Sequence, residues 1–189
     1  MRMTLEEMIE LLDLAHGSIA AKCENTEFVF EVPESETFHQ KAGVFVSLYN
    51  QDQLAGCIGF IESENYLYNS IVQAAESAAF KDPRFRNIRK KDLPTLKIEI
   101  SVLSPLELVE GSKDIEIGKH GIYLKTKLQQ GLLLPQVAPR FHWNAETFLD
   151  QTCIKADLPV GAWKESGTNI YRFSAEIFSD DDVSSGQTN

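Results

Sequence analysis

The sequence predicts an α+β protein built on a mostly antiparallel sheet flanked by helices. Three observations lead to this class. Helical and strand periodicities are mixed along the chain without a regular strand–helix alternation, hairpin signals are frequent, and no internal repeat is present. With 189 residues, of which 43% are hydrophobic, the chain is long enough to bury a sizeable core.

The first half of the chain predicts a helix, a short strand and a hairpin. Thr4-Leu5-Glu6-Glu7 forms a capping box ahead of an apolar stripe at helical spacing. Apolar residues alternate from Phe28 to Val32 and predict a strand that Pro33 ends. Residues 43–49 and 54–60 are strand-like runs separated by polar turn residues, which is typical of a hairpin.

Further elements follow in the same mixed order. Residues 66–80 carry apolar side chains at helical spacing, and residues 96–102 alternate strictly as in a half-buried strand. Asn144 can cap a helix that stops before Pro159, and residues 171–177 alternate again in a last strand. His16, in the first helix, is expected to face water.

The C-terminal end is expected to be disordered. Asp180, Asp181 and Asp182 are followed by small polar residues, a composition typical of a frayed tail. The sequence therefore predicts a single domain over residues 1–178 and a disordered acidic tail over 179–189. No apolar run approaches the length of a membrane helix, and the N-terminus does not resemble a signal peptide. A cytoplasmic location with no membrane partner is expected.

The charge distribution bears on nucleic-acid binding. The formal net charge of −10 opposes binding to phosphates. Residues 81–91, however, hold six basic side chains against Asp82 alone, with Asp92 directly after them. This segment is either a solvated loop or a docking patch for an acidic protein or RNA, with Phe85 available to stack on a base.

The cysteines and the absent motifs exclude several site classes. Cys23, Cys57 and Cys153 do not follow zinc-ligand spacing, so no metal site is predicted, and free thiols fit a reducing compartment. The sequence contains no Walker loop, no dinucleotide-binding glycine pattern, no nucleophile elbow and no zincin motif. No cofactor is predicted.

Gly56-Cys57-Ile58-Gly59 is the most informative tetrapeptide. Glycines weaken a strand, so the pair predicts a bulge, a sharp bend or a close approach to the backbone, and we expect a bend with a pocket beside it. Cys57 is then either a small buried hydrophobe or a nucleophile. A nucleophile needs a thiolate, and no basic residue lies near it in the sequence, so any activation must come from the fold.

Two later segments supply possible partners. His120, with Lys119 beside it in a turn between Gly118 and Gly121, is either an exposed turn histidine or the base that assists Cys57. Gln136 follows Pro135 after an apolar run and either binds a ligand or satisfies loop backbone.

Several segments together resemble one known family. The resemblance rests on seven segments kept in one order: residues 43–48, 54–59, 78–85, 98–104, 117–121, 131–138 and 155–159. They are similar to the AMMECR domain family, and the resemblance runs from about residue 5 to residue 178. It departs at Ala55, where the family usually has arginine, and at Asp157, where it usually has glycine.

The resemblance implies two unequal lobes with a cleft near the Gly-Cys-Ile-Gly segment, and a biochemical role that is unsettled. It also implies work alongside Memo-like and radical S-adenosylmethionine proteins. The binding residues that we predict for a small ligand or a partner segment are Gly56, Ile58, Gly59, Asp82, Arg84, Lys119, Pro135 and Gln136.

Three functions compete. The first is an accessory or binding protein that uses this cleft. The second is a cysteine-dependent enzyme with Cys57 as nucleophile and His120 as base. The third is an RNA-facing protein that uses the basic residues between 81 and 91.

Overall fold

The structure is a computed structural model that describes residues 2–32 and 34–186. The chain divides into two compact units. Of the described residues, those up to 103 and those from 176 onward form unit 1, and residues 104–175 form unit 2.

Unit 1 is a four-stranded sheet with helices packed on it. Its elements are α1 (Leu5–Glu24), β1 (Val44–Asn50), β2 (Gln53–Phe60), α2 (Leu67–Phe80), β3 (Leu96–Leu103), β8 (Ala175–Ser179) and α5 (Asp180–Ser185). The strands run in the order β2-β1-β3-β8, and β2 is therefore an edge strand.

Helix α1 begins where the capping box predicts. The Thr4 hydroxyl accepts a hydrogen bond from the Glu7 amide at 3.2 Å, and the Glu7 carboxylate accepts one from the Thr4 amide at 2.8 Å. The helix ends at Asn25, which adopts the left-handed conformation and returns its amide to the last carbonyls. The apolar stripe of α1 is buried in the core of unit 1.

The hairpin of β1 and β2 is confirmed, and its register is irregular next to Gly56. β1 pairs antiparallel with both β2 and β3. Between Leu48 and Tyr49 the register with β2 shifts, so Ala55 is left without a cross-strand partner. Of the alternatives for this segment, the structure therefore has a β-bulge at Ala55, and β2 continues through Gly56 and Gly59 as one strand.

Two sequence predictions in unit 1 are wrong. Residues 28–32 form no strand, because no neighbouring strand pairs with them, and Pro33 lies outside the described residues. Asp180–Ser185 form a short helix in place of a disordered tail, since the Ser179 hydroxyl caps it and three aspartates occupy its first turn. Residues 187–189 lie outside the described residues.

Unit 2 is a second four-stranded sheet, in the order β4-β7-β5-β6. All its strand pairs are antiparallel. Asn144 caps α4 as predicted, its side chain accepting a hydrogen bond from Thr147. The elements are β4 (Glu107–Val109), β5 (Gly121–Lys125), β6 (Gln130–Leu133), α3 (Val137–Arg140), α4 (Ala145–Lys155) and β7 (Asn169–Phe173).

The α+β class with mostly antiparallel sheets is confirmed. Each unit has its own apolar core. Among the described helices, none has the combination of length and apolar character that crossing a membrane requires.

Candidate functional site

The two glycines around Cys57 are explained by close backbone and side-chain approaches. A Cβ atom at Gly56 would overlap the carbonyl oxygen of Ala78 in the last turn of α2. A Cβ atom at Gly59 would overlap the carbonyl oxygen of Val44 and come within 2.5 Å of the Phe45 ring. Both positions therefore need glycine so that β2 can pack against its neighbours.

The backbone of Cys57 is capped by side chains from the loop after α2. The Cys57 amide donates to Asp82 Oδ2 at 2.9 Å, and the Cys57 carbonyl accepts from Arg84 Nη2 at 2.9 Å. These bonds lie on an edge strand, where a neighbouring strand would otherwise supply a donor and an acceptor. The Asp82–Arg84 pair thus replaces one residue of a missing strand.

Asp82 and Arg84 also bind each other as a fork. Asp82 Oδ1 accepts from Arg84 Nε at 2.9 Å and from the Arg84 backbone amide at 3.1 Å, and Oδ2 accepts from Nη2 at 2.7 Å. The Asp82 side chain is only 1% exposed, whereas that of Arg84 is 53% exposed. The hydrogen bonds from Arg84 hold the pKa of the Asp82 carboxyl well below its usual range, against the opposing effect of burial.

The side chains of this site present a thiol and a guanidinium. Cys57 is half-buried, and its Sγ accepts a hydrogen bond from the Ser47 hydroxyl at 3.3 Å. The Arg84 guanidinium lies over the Phe85 ring, 5.3 Å from its centroid. Ser47 faces Cys57 across β1 and β2 and is buried. Sequence reasoning missed this serine.

A second fork in the same loop accounts for much of its basic charge. Arg86 donates two hydrogen bonds to Asp92, at 2.7 and 2.9 Å, and the side chain of Asp92 is 7% exposed. Lys90 pairs with Glu24 at 2.8 Å. Arg84, Arg86 and Lys90 are thus engaged within unit 1, which favours the solvated-loop interpretation of residues 81–91 over an RNA-binding patch.

His120 is held in one tautomer by its own turn. Its Nδ1 accepts a hydrogen bond from the Glu116 backbone amide at 3.0 Å. An amide can only donate, so in the neutral ring the proton is on Nε2. Partial burial, followed by the charges of Arg172 and Lys119, lowers the pKa of His120. Lys119 pairs with Glu116 at 2.9 Å. The neutral ring therefore offers a donor and has no free lone pair.

The segment after β6 contains an unpaired polar atom. Pro135 is buried, and Gln136 stands at the N-cap of α3 without capping it through its side chain. The Oε1 atom of Gln136 is buried and has no hydrogen-bond partner among the described residues. Asp157 adopts a φ of 56°, in the left-handed region that favours glycine, which fits the glycine that the resemblance implies at this position.

The structure brings together part of the predicted site. Gly56, Cys57, Gly59, Asp82 and Arg84 are neighbours in unit 1, and Ile58 packs its half-buried side chain against that unit's core. Lys119, His120, Pro135 and Gln136 belong to unit 2. The pairing of Cys57 with His120 stays a prediction. Within residues 2–32 and 34–186, no group of three metal-ligating side chains is placed to hold a metal ion.

Comparison with known proteins gives the family. The model of the AMMECR1 family matches residues 12–178. The chain belongs to the AMMECR1 family. This agrees with the resemblance carried by the seven ordered segments.

Archaeal relatives of similar length extend this assignment. The protein MK0488 of Methanopyrus kandleri is 39% identical over 190 residues, which covers 96% of this chain and 92% of the relative. The protein TK0174 of Thermococcus kodakarensis is 42% identical and covers 81% and 80% of the two chains. The crystal structure of the uncharacterized protein PH0010 from Pyrococcus horikoshii is similar with a TM-score of 0.83 at 35% identity, covering 91% of this chain and 90% of that one.

Proposed function

We propose that the chain is a cytoplasmic accessory protein that binds a partner through the surface formed by Cys57, Arg84 and Phe85. The observation that carries this proposal is that both backbone polar groups of Cys57 are hydrogen-bonded to side chains. Both its amide and its carbonyl are bonded to the Asp82–Arg84 pair, so this part of the strand edge is rigid. Because Asp82 and Cys57 occupy Nε and Nη2 of Arg84, the Nη1 group of this half-exposed guanidinium is the donor that can bind a carboxylate or another anion of the partner.

The partners proposed are the Memo-like and radical S-adenosylmethionine proteins that the family resemblance implies. A small ligand bound in a cleft near the same segment belongs to the same proposal. Family membership supports the choice of partners, and the exposed face of Arg84 supplies the chemistry for contact.

Isothermal titration calorimetry of the chain against each purified partner from the same organism tests this function. We expect binding to the wild type, at least tenfold weaker binding for Arg84→Lys, and a change within twofold for Arg86→Lys. The two variants are matched, because each replaces the arginine of a buried Asp–Arg fork in the same loop. In each variant the lysine keeps the positive charge but cannot form the two parallel hydrogen bonds that the arginine makes with its aspartate.

A second variant keeps the test decisive if Arg84→Lys unfolds. Cys57→Met enlarges the side chain beside Arg84 without touching the ion pair, and we expect at least threefold weaker binding. No binding of either partner to the wild type, or equal losses for Arg84→Lys and Arg86→Lys, overturns the proposal.

The alternative function is a cysteine-dependent enzyme. The hydrogen bond from Ser47 to Cys57 Sγ favours it, because it fixes the position of a thiol that is only half-buried. The tautomer of His120 counts against that residue as the base. Iodoacetamide alkylation of Cys57 measured against pH separates the two functions. A thiol that reacts no faster than a free cysteine at neutral pH rules out the enzyme.

A further inference from the structure

The segment Glu27–Val32 belongs to no sheet, but from Glu27 to Glu31 its exposed and partly buried side chains alternate as in a β-strand. The rings of Phe28 and Phe30 stack with centroids 5.1 Å apart, so side chains two positions apart point the same way. That period is the one of a β-strand. Both rings pack against the core of unit 1, while Val29 between them is 81% exposed. The segment thus has the side-chain alternation of a strand but no neighbouring strand paired with it.

The backbone of this segment is unpaired. No amide or carbonyl of residues 27–32 makes a backbone–backbone hydrogen bond with any residue that the structure describes. An extended run of free donors and acceptors is a template on which another strand can pair.

The segment is also fixed in place. The Phe28 ring lies directly on α1, because a Cβ atom added at Gly17 would come within 2.6 Å of it. The Phe30 ring contacts the Tyr68 ring of α2, with centroids 6.0 Å apart. A template that is already held extended loses little conformational entropy when a second strand pairs with it.

The outward side chains decide which strand can pair. Glu27 and Glu31 are exposed and take part in none of the ion pairs among the described residues, and Val29 lies between them. Antiparallel pairing of two copies about Val29 would place Glu27 opposite Glu31 twice. Like charges directly opposite each other destabilise a strand pair. A second copy of this chain is therefore a poor occupant.

We propose that Glu27–Val32 is a docking edge for an extended basic segment of a partner protein. The incoming strand pairs with the free backbone groups and places lysine or arginine opposite Glu27 and Glu31, with an apolar side chain opposite Val29. This surface does not include Cys57 or Arg84, so the inference goes beyond the proposed function and stands or falls separately.

The probe is the peptide acetyl-Thr-Lys-Thr-Val-Thr-Lys-Thr-amide, which carries this pattern. Amide hydrogen exchange of the full chain, resolved by residue, is measured with and without it. We expect fast exchange over residues 28–32 in the free protein and at least tenfold slower exchange at alternate amides with the peptide. A peptide N-methylated at every residue keeps its charges, but the backbone nitrogens of its residues cannot donate hydrogen bonds. It should leave the exchange of residues 28–32 unchanged.

Charge reversal supplies the second arm. The double variant Glu27→Lys with Glu31→Lys should lose binding of the probe, whereas Glu6→Lys with Glu10→Lys, at exposed positions of α1, should retain it. Slow exchange in the free protein, unchanged exchange with the peptide, or equal losses in both double variants overturns the proposal. Slow exchange that appears only on self-association identifies a second copy as the occupant and overturns it as well.

Discussion

Two aspartates of unit 1 each accept a hydrogen bond from a strand amide but are held by different side chains. Asp82 accepts a hydrogen bond from the Cys57 amide of β2 at 2.9 Å, and Asp180 accepts one from the Ile98 amide of β3 at 2.7 Å. Asp82 is bound by the Arg84 guanidinium, whereas both oxygens of Asp180 are bonded to His16 Nε2, at 2.9 and 3.1 Å. In both places a carboxylate accepts the hydrogen bond of a strand amide, a role that a carbonyl group of a neighbouring strand would otherwise have.

The difference lies in burial and in the partner. The Asp82 side chain is 1% exposed and its partner is an arginine, while the Asp180 side chain is 28% exposed and its partner is an imidazole. Asp82 fixes the strand that carries the candidate site. Asp180 stands at the start of α5 and bonds to His16. The sequence predicts that His16 faces water, and this contact instead holds its ring against α5.

The largest expected effect comes from removing the more buried carboxylate. Asp82→Ala leaves the Cys57 amide and the Arg84 guanidinium without their acceptor, and we expect a loss of about 3 kcal/mol in the free energy of unfolding. Urea unfolding followed by circular dichroism measures it. A loss no greater than that of Asp180→Ala would remove the distinction between the two sites.

Asp180→Ala should cost less, about 1.5 kcal/mol, because its hydrogen bonds are partly exposed to water. The same urea titration measures it. The variant His16→Gln removes the imidazole but retains a polar side chain, and it serves as the control. If Asp180→Ala has no effect on stability, α5 is not held by this contact.

Acid should weaken the Asp82 contribution in a defined range. The folded-state pKa of Asp82 lies below the unfolded value, so its contribution is complete above the unfolded pKa and falls as the pH drops toward the folded pKa. The stability difference between wild type and Asp82→Ala should be constant from about pH 7 to pH 5 and narrow by about 1.4 kcal/mol per pH unit below about pH 4. A difference that stays constant down to about pH 3 would contradict a depressed Asp82 pKa.

The smallest effect is expected at the exposed pairs near α5. Lys97 lies 3.1 Å from Asp181 and 3.3 Å from Asp52, and all three side chains are largely exposed. Lys97→Ala should therefore leave the free energy of unfolding nearly unchanged. Thermal unfolding at low and high salt measures it, and a larger loss would show that the exposed ion pairs also hold α5.

The helices and the central hairpin were predictable because their signals are local. The capping box at Thr4, the strict alternation in β3 and the turn between β1 and β2 each act over a few residues. The short helix after Ser179 also had a local signal, an N-cap serine followed by three aspartates, which composition alone obscured.

The contacts of the candidate site were not predictable, because they join distant residues and depend on a bulge. A regular hairpin with the turn at Gln51 and Asp52 would have placed Val46 opposite Cys57. The bulge at Ala55 moves Ser47 to that position instead. Asp82 and Arg84 reach Cys57 from 25 and 27 residues away, and no local pattern encodes that contact. In the sequence, both residues lie in the segment 81–91, whose net positive charge suggested a basic patch and not an ion pair.

Residue-resolved amide hydrogen exchange in wild type, Asp82→Ala and Asp180→Ala tests the central claim most directly, namely that the Asp82–Arg84 pair stands in for a missing strand at Cys57. We expect the Cys57 amide to lose protection in Asp82→Ala but not in Asp180→Ala, and the Ile98 amide to behave in the opposite way. Equal loss at both amides in both variants, or an unchanged Cys57 amide in Asp82→Ala, would contradict the claim.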